Sequence, residues 1–377
     1  MRRLAVLSTH PIQYNAPFFR LLGAEPTWEL HVFYSRIESE VMFDEKFGME
    51  VRWDIPLTEG YHSSSYAGST YRGRKQLIQG IRDFAPHALL VYGWNFPGHL
   101  AFMRQFHGKI PIWFRGDSTL LDPLPIWKAC ARWIWLRFVY RHVDVAFYVG
   151  TANRAYFEWC GMQDRRLVRA YHAVDNEFFG TRDFERKQAA LKRRSDLGIE
   201  PNATVFLFVG KFEPVKQPDL LLDAFLSIPE WEGSTIHLIL IGSGELLGDL
   251  QLKSAGNEHV HILGFKNQTE LPVYYRMADI LCLPSRSETW GLVVNEFLAS
   301  AGGLLLLSDR VGCAADLVTR PEHGKVISHC DVSAWSAAMI ELSKRPRIKR
   351  TDFSILFSQM EFFRALESCF KTTDRRE

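Results

Sequence analysis

The chain has 377 residues, 47% apolar and 23% charged, the balance of a globular protein long enough for two domains with sizeable cores. Forty-five basic residues against 43 acidic ones leave a net charge of +2, so bulk charge implies no nucleic-acid partner. Six scattered cysteines without a CxxC pair argue against a disulfide framework or zinc site, and no run approaches 18 apolar residues, so a cytoplasmic protein without a spanning segment is expected.

Residues 4–8 form a β-type run, too short for a signal segment, that ends in Thr9-His10-Pro11-Ile12-Gln13-Tyr14-Asn15. A helix over 18–22 and a strand over 29–34 follow, the βαβ opening of a doubly wound sheet. The first loop offers His10, Gln13 and Asn15. His10 reads equally as a proton-handling or hydroxyl-binding group and as a structural imidazole. Residues 36–75 are polar and weakly periodic, and are read as a functional loop on the acceptor side. Strands are expected at 88–92 and 110–114, the second ending in Arg115-Gly116-Asp117-Ser118. Polar residues directly after a strand sit at the ligand-binding edge of an open sheet. An adhesion reading of that Arg-Gly-Asp triplet is a chance match.

Residues 124–142 (LPIWKACARWIWLRFVYRH) predict a helix rich in aromatics and base. At ~100° per residue, Lys128 and Arg132 fall opposite Arg137 and Arg141, so the helix is not a clean amphipath. Burial with snorkelling arginines is the favoured expectation, and peripheral docking on a bilayer the second. After a strand at 143–149 and a helix through Trp159, the charge-dense run 181–196 predicts an exposed linker helix.

A second domain is expected from Pro201. Its strand at 205–209 is followed by Gly210-Lys211 and then Lys216. The strand at 237–241 ends in Gly242-Ser243-Gly244, but the third glycine, Gly248, comes one residue late for a dinucleotide fingerprint. A strand at 260–263 leads to Gly264-Phe265. Residues 280–300 (ILCLPSRSETWGLVVNEFLAS) then read as a buried strand, a polar loop and a helix that opens near Trp290-Gly291. Such a helix start favours an anion, phosphate above all. Glu288 and Glu296 cannot both grip a diphosphate, but can accept hydrogen bonds from sugar hydroxyls on either side of it. A strand at 303–308, short elements to 343, a break at 344–350 and a last helix over 353–370 complete the chain.

Glu288-x7-Glu296, preceded by Leu283-Pro284-Ser285 and followed by Ser308-Asp309, resembles the signature of the family 4 glycosyltransferases, with the likeness extending over most of 201–343. That resemblance implies an α/β fold of the GT-B class: two Rossmann-like doubly wound domains facing across a cleft, with a C-terminal helix returning to the first. The boundaries expected are 1–180, a linker at 181–200, 201–347 and 348–377. It implies a retaining, metal-independent transfer from a nucleotide diphosphate-sugar of the UDP or GDP type, with no other cofactor. A glycan or lipid-linked hydroxyl would accept the sugar, in surface polysaccharide or glycolipid assembly, in the cytoplasm or at the inner membrane face.

By the same resemblance Glu296 holds the ribose diol, and Glu288 with the backbone of Thr289, Trp290, Gly291 and Leu292 holds the hexose and adjoining phosphate. Gly210, Lys211 and Lys216 carry the diphosphate, with Lys in the first place where a bidentate grip is lost. The usual glycine after the second lysine is Gln217. Gly264 and Phe265 meet the base. Asp117, Glu288 and Lys216 are the expected catalytic residues, and His10, Gln13, Asn15 and Arg115 the acceptor-side ones. Rival readings are a GT-B epimerase or phosphorylase, and a non-catalytic nucleotide-sugar or glycan-binding module.

Overall fold

The structure, a computed structural model, describes residues 1–37, 42–44, 49–96, 98–229, 235–300, 302–345 and 357–373. Parts of the acceptor-side loop (38–41, 45–48), most of the 344–350 break and the first residues expected in the last helix lie outside these. The chain divides into two compact units, 1–40 with 55–175 and 358–377, and 41–54 with 176–357.

The first unit alternates strands and helices: β1 (Arg2–Ser8), α1 (Ala16–Ala24) and β2 (Trp28–Tyr34) come first. The short antiparallel pair β3 (Met42–Asp44) and β4 (Met49–Val51) belongs to the second unit. Next come β5 (His62–Ser65), α2 (Tyr71–Phe84), β6 (Ala88–Tyr92), α3 (His99–Phe106), β7 (Ile112–Arg115), α4 (Ile126–Tyr140), β8 (Val145–Tyr148), α5 (Thr151–Trp159) and β9 (Leu167–Arg169). Seven parallel strands lie in the order β5-β2-β1-β6-β7-β8-β9. Continuous apolar runs such as ALLVY suit strands covered on both faces. The order reverses between β1 and β6, and a ligand crevice in such sheets opens beyond the carboxyl ends of the strands there.

The second unit continues with α6 (Asn176–Gly180), α7 (Asp183–Asp196), β10 (Thr204–Val209), α8 (Pro218–Leu226), β11 (Ile236–Ile241), α9 (Leu247–Lys253), β12 (Val260–Ile262), α10 (Leu271–Met277) and β13 (Ile280–Leu283). It ends in α11 (Leu292–Ser300), β14 (Leu304–Ser308), α12 (Ala314–Leu317), β15 (Gly324–Ile327) and α13 (Val332–Ser343). Its parallel strands lie in the order β12-β11-β10-β13-β14-β15, with the reversal between β10 and β13.

Two expectations change, and the return of the last helix to the first unit holds. The stretch expected as an exposed linker is the helix α7, packed on α10 within the second unit. Its Arg194 is buried, donates to the carbonyls of Met277 and Ala203, and pairs with Asp279 at 3.8 Å. Charge density therefore hid an interior guanidinium. The aromatic helix α4 is not covered: it buries Leu136, Val139 and Tyr140, while Ile126, Trp127 and Ile134 are 83%, 70% and 65% exposed. The last helix, α14 (Gln359–Thr373), belongs to the first unit, where Phe362, Phe363, Leu366 and Phe370 are buried in one cluster with Phe18, Trp28, Trp113 and Phe147. Phe362 stacks on Phe18 at 4.5 Å, and Phe370 meets Trp113 edge-on at 4.6 Å.

Candidate active site

The loops after β10 and β13 leave adjacent strands at the reversal point of the second sheet, and a backbone bond and an ion pair tie them to each other. Arg286 N donates to Val215 O at 2.8 Å, and the Lys216 ammonium is ion-paired with the Glu288 carboxylate. Both side chains are partly buried, at 23% and 18% exposure, so one face of the pair still meets solvent. Gly210 and Lys211 lie half-buried where β10 ends. Gln217 has taken the place expected for glycine, and its backbone is left-handed (φ 52°) as it caps α8. Its Oε1 is buried and has no partner among the described residues.

The loop 285–291 is held by its neighbour on the other side. Glu288 N donates to Arg310 O at 3.2 Å, and Gly312 N to Glu288 O at 2.9 Å. The two segments run so close that a Cβ on Gly312 would overlap the Thr289 carbonyl. Trp290 is buried, and its Nε1 donates to Asn295 Oδ1 at 2.8 Å, which pins the indole inward and leaves only its backbone for a ligand. Gly291, at φ 97°, makes the turn into α11 in a conformation other residues rarely adopt, with Leu283 packed beneath it. Thr289 is exposed and Leu292 half-buried, so the first turn of α11 reaches the surface. The opening amides of a helix lack intrahelical acceptors and carry its positive dipole end.

Glu296 lies deeper than its expected ribose-binding role suggests. It is 2% exposed, and its carboxylate accepts from Gln268 Nε2 at 3.1 Å and from the Tyr275 hydroxyl. Each carboxylate oxygen has a second lone pair, so a diol can still be accepted alongside them. Gln268 and Tyr275 were not legible as site residues; each reaches Glu296 only through the fold. Gly264 and Phe265, half-buried, follow β12, and Gly264 O accepts from Gly242 N at 3.0 Å. The hairpin β3–β4 is followed by Arg52, whose carbonyl accepts from Asn267 Nδ2 at 2.7 Å, and Asp54, which accepts from Thr269 N at 3.2 Å.

The remaining candidates belong to the first unit. His10, Gln13 and Asn15 sit half-buried after β1, and Asp117 after β7. Arg115, expected among the acceptor-side residues, is turned inward instead. Its guanidinium donates to Ala170 O at 2.8 Å and Tyr171 O at 3.3 Å, and lies 4.1 Å over the Phe362 ring. Burial lowers its pKa, opposed by the Tyr92 hydroxyl and Asp117. The guanidinium thus serves as a brace between β7, the 170–171 segment and α14. A cleft lined by Tyr14, Asn15, Tyr92, Arg115, His172 and Gln359 opens at this edge. Burial, then the nearby Arg115 charge, depresses His172 well below the ordinary imidazole value, so it is neutral near pH 7. Burial pushes the Tyr92 phenol up to about 12. Neither residue was among the site candidates read from the sequence. Among the described residues no group of three or more His, Cys, Asp or Glu could hold a metal, and no helix is long and apolar enough to cross a membrane.

Residues 191–355 match the model of the glycosyl transferases group 1. The D-inositol 3-phosphate glycosyltransferase of Mycolicibacterium gilvum is 31% identical over 157 residues, 40% of this chain and 34% of that protein. D-inositol 3-phosphate glycosyltransferase 2 of Catenulispora acidiphila is 32% identical over 197 residues, 49% of this chain and 44% of the relative. The chain therefore matches between a third and a half of these relatives' length. Among solved structures, HepE of Anabaena in complex with UDP and glucose superposes with a TM-score of 0.70 at 15% identity, covering 99% of this chain and 100% of its own. Sucrose-phosphate synthase from Thermosynechococcus elongatus gives 0.71 at 15% identity, with both chains covered completely (100% and 100%). At that identity the likeness speaks to the fold, two Rossmann-like units of the GT-B class. It is the second unit, with Glu288-x7-Glu296 set across the loop and helix after β13, that carries the match to the glycosyl transferases group 1.

Proposed function

We propose that the protein is a retaining glycosyltransferase that moves a sugar from a nucleotide diphosphate donor to a hydroxyl acceptor. The observation that carries this reading is the gathering of Lys211, Lys216, Glu288 and the start of α11 at the reversal point of the second sheet. As the bond between the anomeric carbon and the phosphate oxygen breaks, negative charge grows on the departing diphosphate. Fixed ammonium groups and helix-start amides stabilise that charge without having to reorganise. The Lys216–Glu288 pair keeps both groups in place before the donor arrives. The diphosphate then competes for the ammonium and frees carboxylate lone pairs for hexose hydroxyls. The acceptor oxygen bonds to the anomeric carbon on the face the phosphate leaves, and its proton passes to a phosphate oxygen, so no separate base is needed. Glu296, oriented by Gln268 and Tyr275, receives the ribose diol.

HepE of Anabaena was solved with UDP and with UDP-glucose, which makes UDP-sugars the first donors to test on this chain. The acceptor is a glycan or lipid-linked hydroxyl, presented on the side of Asp117, His10, Gln13 and Asn15. Donor turnover is to be measured with UDP-, GDP- and ADP-sugars, with and without EDTA. Lys216→Met should lower turnover of the preferred donor by roughly a hundredfold, and EDTA should change nothing. Full turnover in the variant, or activity that vanishes with chelator, would overturn the mechanism.

A further inference from the structure

Seven large apolar side chains stand exposed between Leu120 and Trp135: Leu120 43%, Leu124 40%, Ile126 83%, Trp127 70%, Trp133 39%, Ile134 65% and Trp135 45%. They run along the approach to α4 and its first three turns. The helix packs inward through Leu136, Val139 and Tyr140, so Ile126, Trp127, Cys130 and Ile134 face outward on the opposite side. The same outward half ends in Arg137 and Arg141, both exposed, and Lys128 is exposed on its flank. Arg137 lies 4.8 Å over the Trp133 ring and Arg141 4.2 Å over Phe138, so the cations and aromatics form one surface. From Thr119 to Val143 the chain carries four basic residues and one acid, Asp122.

We propose that this face docks on an anionic phospholipid surface, with the leading turns of α4 set at the boundary of headgroups and acyl chains. Indole and isoleucine side chains in such a layer leave water without needing a complementary protein pocket, and tryptophan is well suited to it. Arginines at the trailing end of the helix meet phosphate headgroups. The charge pattern also selects this occupant over a second copy of the chain. A two-fold contact through this patch would set a surface of net positive charge against itself. The inference stands apart from the proposed activity, since vesicle binding needs neither donor nor acceptor.

The test is co-sedimentation of the full chain with phosphatidylcholine vesicles and with vesicles containing roughly a third phosphatidylglycerol. The protein should bind the anionic vesicles, and release in high salt. Replacing Arg137→Gln and Arg141→Gln together should weaken that binding on the order of tenfold. Trp127→Ser with Ile134→Ser should weaken binding comparably while leaving the salt dependence of the residual binding intact. Both pairs are exposed, so thermal unfolding should be unchanged and a lost signal cannot come from misfolding. No binding, equal binding to both vesicle types, or binding indifferent to these variants would overturn the proposal. So would a concentration-dependent dimer dissolved by Ile134→Ser, which assigns the patch to a second copy.

Discussion

Both sheets reverse their strand order at a point between two neighbouring strands, yet the two edges are furnished differently. At the edge of the second sheet the groups after β10 and β13 are ammonium, carboxylate, glycine and helix-start amides, held by backbone bonds and partly open to water. At the edge of the first the cation is sunk: Arg115 is 5% exposed and spends its donors on protein carbonyls, beside a neutral His172 and a phenol pushed up to about 12. One topology thus leaves a part-open ammonium and helix-start amides at the edge of one unit, where the proposed function places an anion, and a braced, weakly charged wall in the other. What decides is whether the cation after the strand finds carbonyls of its own.

The sharpest way to break this contrast is at the segment behind the anion loop. Gly312→Ala would drive a methyl into the Thr289 carbonyl, so the 288–291 loop must move. A loss of about 3 kcal/mol in urea unfolding is expected, together with nucleotide affinity. Unchanged binding would show that the loop geometry is not what holds the ligand. Next comes Arg115→Met, which leaves the Ala170 and Tyr171 carbonyls without their donor. Stability should fall by about 2 kcal/mol, with UDP affinity unaltered. Weaker UDP binding in that variant would erase the distinction drawn between the two edges.

A smaller effect comes with acid. Burial, then the neighbouring His237 and His259, holds His261 at about 4, below the ordinary imidazole value. As pH falls the unfolded chain takes up this proton first, so the stability of the neutral ring is complete above 6.5 and is lost as pH drops through 4. The ring is only half-buried, which limits the contribution to about 1 kcal/mol after solvent screening. His261→Gln should flatten the unfolding free energy between those pH values by that amount. Smallest is Gln217→Gly, which removes a left-handed side-chain penalty and a buried amide oxygen without a partner among the described residues. A gain of roughly 0.5 kcal/mol is expected, and a loss would mean that Gln217 contributes a contact to the site.

The strand ends and the groups beside them were readable because parallel buried strands announce themselves as short apolar runs, and polar residues right after them have only the sheet edge to occupy. Glu288, Lys211 and Lys216 were found that way. Arg115 met the same criterion and went inward, because its acceptors at 170 and 171 and its aromatic cover at Phe362 come from distant parts of the chain. Gln268 and Tyr275 escaped notice for the same reason, as what marks them is a bond each makes to Glu296 in the folded chain. The helices α4 and α7 misled in opposite directions. Aromatic content suggested cover that α4 lacks, and charge suggested exposure that Arg194 does not have.

The most direct test of the account is calorimetric titration of UDP into the wild-type chain and the Lys216→Met variant. The account predicts a single site in the wild type, weakened at least about tenfold in the variant through loss of a charge-assisted contact to phosphate. Equal affinity in the two proteins would contradict the assignment of the β10–β13 edge as the bed of the diphosphate.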